Sequence, residues 1–169
     1  MLSPKEEGMY KNSEHIVKLN YNDFTRKNNK VFFKNKKKFE KYKGKIGFLK
    51  VYAEWCGHCH EVKDTVENIS KILHKDDITI FVIDYANIPT NKQDKFVKTT
   101  GVNSFPSFFT VNNLQLEKKE INDRSQEGFL SVIKKMSSGK HKKRSKVKRK
   151  KMKSKVKSKV KRRSKKKNK

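Results

Sequence analysis

Trp55-Cys56-Gly57-His58-Cys59 holds both cysteines of the chain and its only tryptophan, and its flanks constrain how it can fold. Before it, Gly47-Phe48-Leu49-Lys50-Val51-Tyr52 is mostly apolar and strand-prone. After it, from His60 to His74, apolar residues recur at Val62, Val66, Ile69 and Leu73. That is the spacing of a helix with one buried face. The pair therefore sits where a strand hands over to a helix. Free N–H groups and the macrodipole at a helix N-terminus favour negative charge, and so the thiolate of a cysteine placed there. Two cysteines with two residues between them can close a small disulfide and reopen it by thiolate exchange, so this context reads as redox chemistry.

Rival uses of the pair fit less well. Chance spacing would not explain the strand-to-helix position. A closed zinc site takes four ligands, often as two separated pairs. Cys56 and Cys59, with a choice of His58, His60 or His74, lack the second pair. Cys56-Gly57-His58-Cys59-His60 also spells the C-x-x-C-H pattern of covalent haem attachment. That chemistry belongs to exported proteins, no export signal is visible, and the following helix reads as an ordinary amphipathic core helix. No cofactor and no metal are expected.

Charge divides the chain. Lys140 to Lys169 carries 20 Lys/Arg and no acidic residue, out of a formal net charge of +28. Its only apolar side chains are Val147, Met152, Val156 and Val160, and Ser-Lys-Val-Lys recurs at 145–148, 154–157 and 158–161. Such a segment buries too little to offset its ordering entropy and repels itself, which predicts disorder. Ser137-Ser138-Gly139 reads as a hinge before it. The first dozen residues, with Pro4, Gly8 and mixed charges, read as a loose arm. The expected organisation is therefore an arm over 1–12, one domain over 13–137 and a basic tail over 138–169.

No signal peptide, membrane-spanning stretch or C-terminal retention sequence is legible. A reducing compartment is the expectation, cytoplasm or nucleus or a virion rather than a secretory or retained location.

The strand and helix signals continue along the chain. Ile16-Val17-Lys18-Leu19 reads as a first strand. Residues 25–44 are basic and broken by Asn28-Asn29, with Phe32, Phe33, Phe39 and Tyr42 available to anchor a helix. Residues 78–83 are β-branched and apolar, fit for a strand buried on both faces. Asp84 closes that strand. A helix is expected over 91–100, ended by Gly101, and a strand over 107–111 followed by an Asn112-Asn113 turn. Residues 114–121 alternate as an edge strand does. A last helix over 126–136 offers Phe129, Leu130, Val132, Ile133 and Met136 to a core. The order is β-α-β-α-β-α-β-β-α.

Tyr52-Ala53-Glu54-Trp55-Cys56-Gly57-His58-Cys59, then Ile83-Asp84, then Gly101-Val102-Asn103-Ser104-Phe105-Pro106-Ser107 together resemble the thioredoxin superfamily. The Cys-Gly-His-Cys centre is similar to that of protein disulfide isomerase, and Ala53-Glu54-Trp55 to that of thioredoxin. The resemblance, over about residues 13–137, implies an α/β thioredoxin fold with a central mixed sheet of four to five strands flanked by helices. It also implies a cis peptide before Pro106, packed against the cysteines, with backbone around Phe105 and Pro106 that pairs with a substrate chain. A trans, strand-initiating proline is the plain alternative.

The catalytic set is Cys56, Cys59, His58, Gly57, Trp55 and Pro106. Cys56, nearer the helix start and more exposed, is expected to be the attacking thiolate, and Cys59, a turn further in, the buried resolving thiol. Gly57 keeps the turn uncrowded. His58 can hold positive charge beside the thiolate, or can be a solvated loop histidine without influence. His60 reads as helix surface. Trp55 is expected to shield the site and pack on it, or to fill core.

One position departs from the family. Its members usually hold a buried carboxylate where this chain has Lys50, and that group is thought to assist proton transfer at the buried cysteine. A lysine that pairs with it in many members is absent from 78–83. Lys50 is expected to snorkel to solvent with its stem in the core; the alternative is an ammonium near Cys59 that stabilises its thiolate and cannot take a proton while charged.

The expected activity is that of a thiol–disulfide oxidoreductase acting on protein dithiols and disulfides, as a monomer, localised on nucleic acid or another polyanion by its tail. The alternative is a nucleic-acid-binding or virion-packaging protein that uses the folded domain as an adaptor. The Lys/Asn-rich composition is that of an AT-rich coding sequence, as in some large DNA viruses or protozoan parasites.

Overall fold

The computed structural model describes residues 8–28, 30–34 and 37–137. The tail, residues 138–169, and residues 1–7 of the arm lie outside the described residues. The chain divides into two units, Met1–Ile133 and Lys134–Lys169. Of the second, residues 134–137 are described and are helical.

In chain order the first unit contains β1 (Ile16–Lys18), β2 (Phe24–Lys27), β3 (Lys30–Phe33), α1 (Lys37–Glu40) and β4 (Ile46–Tyr52). There follow α2 (Gly57–Glu61), α3 (Lys63–His74), β5 (Thr79–Asp84), α4 (Thr90–Thr100), β6 (Ser107–Asn112) and β7 (Gln115–Glu120). Residues 126–133 form a last helix. The strands make one mixed sheet in the order β1-β5-β4-β6-β7-β3-β2. β4 lies in its interior, parallel to β5 and antiparallel to β6. All seven β4 residues are buried, as a strand covered on both faces must be, and this is why its sequence reads as an almost continuous apolar run.

Alternation along β4 sends Phe48 and Lys50 to one face and Leu49 and Val51 to the other. On the first face Phe48 and Phe108 each meet Phe129 edge-on, at 5.4 and 4.9 Å, while Val66 and Ile69 of α3 close over Lys50. On the second, Leu49, Val51, Phe81 and Ile83 join Phe33, Phe39 and Phe96. Truncating one such buried ring to alanine costs about 3–5 kcal/mol, so both faces contribute to holding β4 in register.

Three expectations are corrected. The sheet has seven strands instead of four or five, because residues 24–33 fold as a hairpin and not as a helix. Asn28, at φ 49°, is in the left-handed region that asparagine tolerates, which suits a tight hairpin connection. Phe24 and Phe33 pair across the hairpin and turn inward, packing on Phe96 and Phe81. Second, β7 is not an edge, since β3 pairs with it through Val31↔Leu116 and Phe32↔Gln115. Third, residues 8–12 are not a loose arm. Met9 and Tyr10 are buried, and the Met9 amide donates to Glu54 Oε1 at 2.5 Å. The apolar pair outweighs the polar residues around it because it reaches the face of β4 that carries Lys50.

Among the described residues no helix is long and apolar enough to cross a membrane.

Candidate active site

β4 ends at Tyr52, the chain turns through Ala53-Glu54-Trp55, and Cys56 caps the start of α2. The Cys56 carbonyl accepts from the amides of Cys59 (2.9 Å) and His60 (3.3 Å), which closes the first helical turn. The expected single helix is broken at Val62 (φ −92°, ψ 5°), where α2 ends and α3 begins. The break leaves the cysteine pair on its own short helical turn.

Both cysteines are free thiols, and their sulfurs lie 2.6 Å apart with Cys59 Sγ–H placed to donate to Cys56 Sγ. A disulfide bond is about 2.05 Å long, so closing one needs sub-ångström movement. Cys56 keeps 8 % of its surface exposed and Cys59 none, the expected order of access. Burial, reinforced by the hydrogen bond to Cys56, pushes the Cys59 thiol up to about 12.

The neighbours divide between the surface and the interior. An added Cβ at Gly57 would meet nothing within 4 Å, so the fold itself does not require glycine there. What the missing side chain leaves open is space over the turn. His58 is exposed and its Nδ1 lies 3.0 Å from Glu61 Oε2, a partner one helical turn on that the sequence reading missed. His60 Nε2 sits 2.7 Å from the Glu54 carbonyl at the surface. Trp55 is not core filling: it is 70 % exposed and meets Phe105 edge-on at 5.7 Å. The Phe105–Pro106 peptide is cis and Pro106 is buried. The Trp55–Phe105 contact therefore brings the proline loop beside the cysteine turn. Asp84 closes β5 opposite Tyr52 and accepts from the Ala86 amide and the Asn87 side chain; burial raises its pKa.

Lys50 does not snorkel. It is fully buried, and its Nζ donates to the Cys59 carbonyl at 3.1 Å and to Tyr10 Oη at 2.5 Å, with Met9 Sδ at 3.7 Å. The route to water that snorkelling needs is closed by Met9 and Tyr10. Those two residues escaped the sequence reading; an apolar pair inside an otherwise polar segment was the available signal. Burial lowers the Lys50 pKa from 10.5 to about 8, against the opposing pull of Cys59.

That shift has a consequence for stability. Between about pH 8 and 10.5 the unfolded chain keeps the lysine proton that the folded one releases, so stability rises with pH across that window. Below about 8 the cost of the buried charge is fully present. At 1.36 kcal/mol per unit the rise amounts to about 3 kcal/mol. In urea unfolding of the reduced protein, the stability of wild type relative to Lys50→Met should rise by this amount across the window. The effect of the raised Cys59 thiol runs the other way above about 9 and is common to both proteins.

The thioredoxin family profile matches residues 30–135, and the chain belongs to the thioredoxin family. It is 29% identical over 92 residues to the thioredoxin domain-containing protein 5 homolog of Drosophila melanogaster, covering 53% of this chain and 21% of that one. It is 26% identical over 106 residues to the thioredoxin of Borreliella burgdorferi, covering 62% and 86%. This chain thus spans about a fifth of the first relative and most of the second. Among solved structures, the J-Trx1 fragment of ERdj5 superposes with a TM-score of 0.54 at 20% identity, over 76% of this chain and 54% of that one. Human ERp44 does so with a TM-score of 0.54 at 15% identity, over 76% and 32%. The two structural likenesses concern the fold.

Proposed function

We propose that the protein is a thiol–disulfide oxidoreductase working through Cys56 and Cys59. The observation that carries this reading is the pair of free thiols 2.6 Å apart at a helix start, both buried, with the outer one alone keeping some exposure. Membership of the thioredoxin family supports it. The Cys56 thiolate attacks one sulfur of a substrate disulfide, forming a mixed disulfide and releasing the first substrate thiolate. Cys59, deprotonated, then attacks the Cys56 sulfur, closes the protein disulfide and releases the second thiolate. Two electrons pass from the protein to the substrate, and the reverse sequence oxidises a dithiol. Exposed Trp55 and the backbone at Phe105 and Pro106 are where a substrate chain would lie. Insulin-disulfide reduction by wild type and the two cysteine-to-serine variants tests the reading, and a wild type without turnover would overturn it.

The centre is of the disulfide isomerase kind through His58, which can hold positive charge next to Cys56 and so favour the reduced form. Its potential should lie above about −240 mV, between thioredoxin at about −270 and protein disulfide isomerase at about −180 mV. His58→Pro should make it more reducing, as measured against a glutathione buffer. Glu61 Oε2 lies 3.0 Å from His58 Nδ1, but both side chains are exposed and such pairs are weak, so the direction holds. A wild-type potential at the thioredoxin value, unmoved by the substitution, would remove His58 from the mechanism.

The basic tail gives the enzyme its location by holding it on nucleic acid or another polyanion. The charge run itself supports this: 20 cationic side chains in thirty residues exceed what a short import signal needs.

A further inference from the structure

Among the described residues Lys50 is the only fully buried cationic side chain. A leucine or methionine would fill its place among Val66, Ile69 and Phe108 without the desolvation cost of an amine. The amine ends against the carbonyl of Cys59, the residue whose thiol must lose a proton for a mixed disulfide to be resolved. That thiol is sealed from water. Of the buried carboxylates among the described residues, Asp23 is engaged by Lys38 and Asp84 by Ala86 and Asn87.

We propose that Lys50 is the proton acceptor for Cys59, taking its thiol proton as a neutral amine when the mixed disulfide is resolved and returning it when the disulfide is reopened. The inference rests on the exchange reading above and deepens it. In the forward step Cys59–SH and Lys50–NH2 become the Cys56–Cys59 disulfide and Lys50–NH3+. The Cys56–substrate S–S bond breaks, and its electron pair leaves on the substrate thiolate.

The surroundings satisfy both states of the amine. A tyrosine hydroxyl can accept from an ammonium or donate to a neutral amine, and Tyr10 Oη is the group that meets Nζ. Tyr10 comes from the N-terminal strap of residues 8–12 and Tyr52 from β4, with its ring centre 5.5 Å from Nζ. Burial opposes the charged form; Cys59 from α2, Cys56 at its cap, Glu54 from the turn before it and Glu67 from α3 all favour it. The balance puts the midpoint at about 8, where both states are populated near neutrality.

The test is a single turnover of the full-length reduced protein against an aromatic disulfide whose thiolate is coloured. The first equivalent released reports attack by Cys56 and the second reports resolution by Cys59. In wild type the second release should accelerate with pH through an inflection near 8. Lys50→Met should lose that inflection and slow the second release about 10²-fold at alkaline pH, far more than it slows the first. Lys50→Arg, charged at every accessible pH, should be as slow as Lys50→Met. A Lys50→Met variant with the wild-type profile, or a Lys50→Arg variant that restores the rate through charge alone, would overturn the proposal.

Should either variant fail to fold, wild type and Tyr10→Phe decide. The Lys50 Cε resonance must then titrate with the midpoint of the second release. In Tyr10→Phe both midpoints should move down together, because the ammonium loses an acceptor. A Lys50 that stays charged to about its ordinary 10.4 sinks the idea. A wild type that releases no second equivalent would overturn the exchange reading, and this inference with it. A normal second release that is indifferent to Lys50 overturns this inference alone.

Discussion

Replacing Cys56 with serine is expected to abolish insulin-disulfide reduction, a loss of about 10³-fold or more, the scale of removing a covalent nucleophile. Replacing Cys59 should stop turnover too, but in a different way. Cys59→Ser keeps the partly exposed Cys56 thiol and so should accumulate mixed disulfides with protein substrates, visible as reducible adducts on a non-reducing gel. Cys56→Ser should accumulate few, because Cys59 is fully buried and holds its proton up to about 12. The asymmetry matters more than the loss. A Cys56→Ser variant that traps substrate as well as Cys59→Ser would reverse the assignment of the two sulfurs.

Truncation after Ser138 should remove nearly all affinity for duplex DNA or RNA while leaving disulfide reduction intact. Twenty positive charges without a stacking aromatic can contact phosphates but have no means of reading bases. Binding by the full chain should therefore be tight at low salt and indifferent to sequence. If about ten phosphates are neutralised together, log K falls against log salt with a slope of about −9 on B-DNA. That is a weakening of about 10⁵-fold from 50 to 200 mM salt. Equal affinity of full-length and truncated proteins at moderate salt would remove nucleic acid as the partner, and vesicles with anionic lipid would be the next polyanion to try.

The centre of the fold was legible because it is locally encoded. The apolar run of β4, the cysteine turn and the 3.6-residue spacing of Val66, Ile69 and Leu73 each speak through near neighbours. The cis bond before Pro106 was reachable only through the family resemblance, since no local signal distinguishes it from a trans proline. The hairpin of β2 and β3 was obscured by charge. Thr25, Arg26, Lys27 and Lys30 face solvent, and only Phe24, Val31 and Phe33 turn inward, too few to outweigh the polar count. Lys50 failed for a different reason. Snorkelling is the usual outcome for a lysine in a strand, and what prevents it is Tyr10, forty residues away in sequence. No window of sequence contains both.

The strap also redraws where this domain begins. The family match starts at residue 30, past β1, β2 and Tyr10. A fragment cut there would keep both cysteines and the proline loop yet lose the strand that pairs with β5 and the partner of β3. It would also leave the Lys50 amine open to water, so its pH behaviour would be that of an ordinary surface lysine. For this chain, the span that identifies the family is shorter than the span that sets the chemistry.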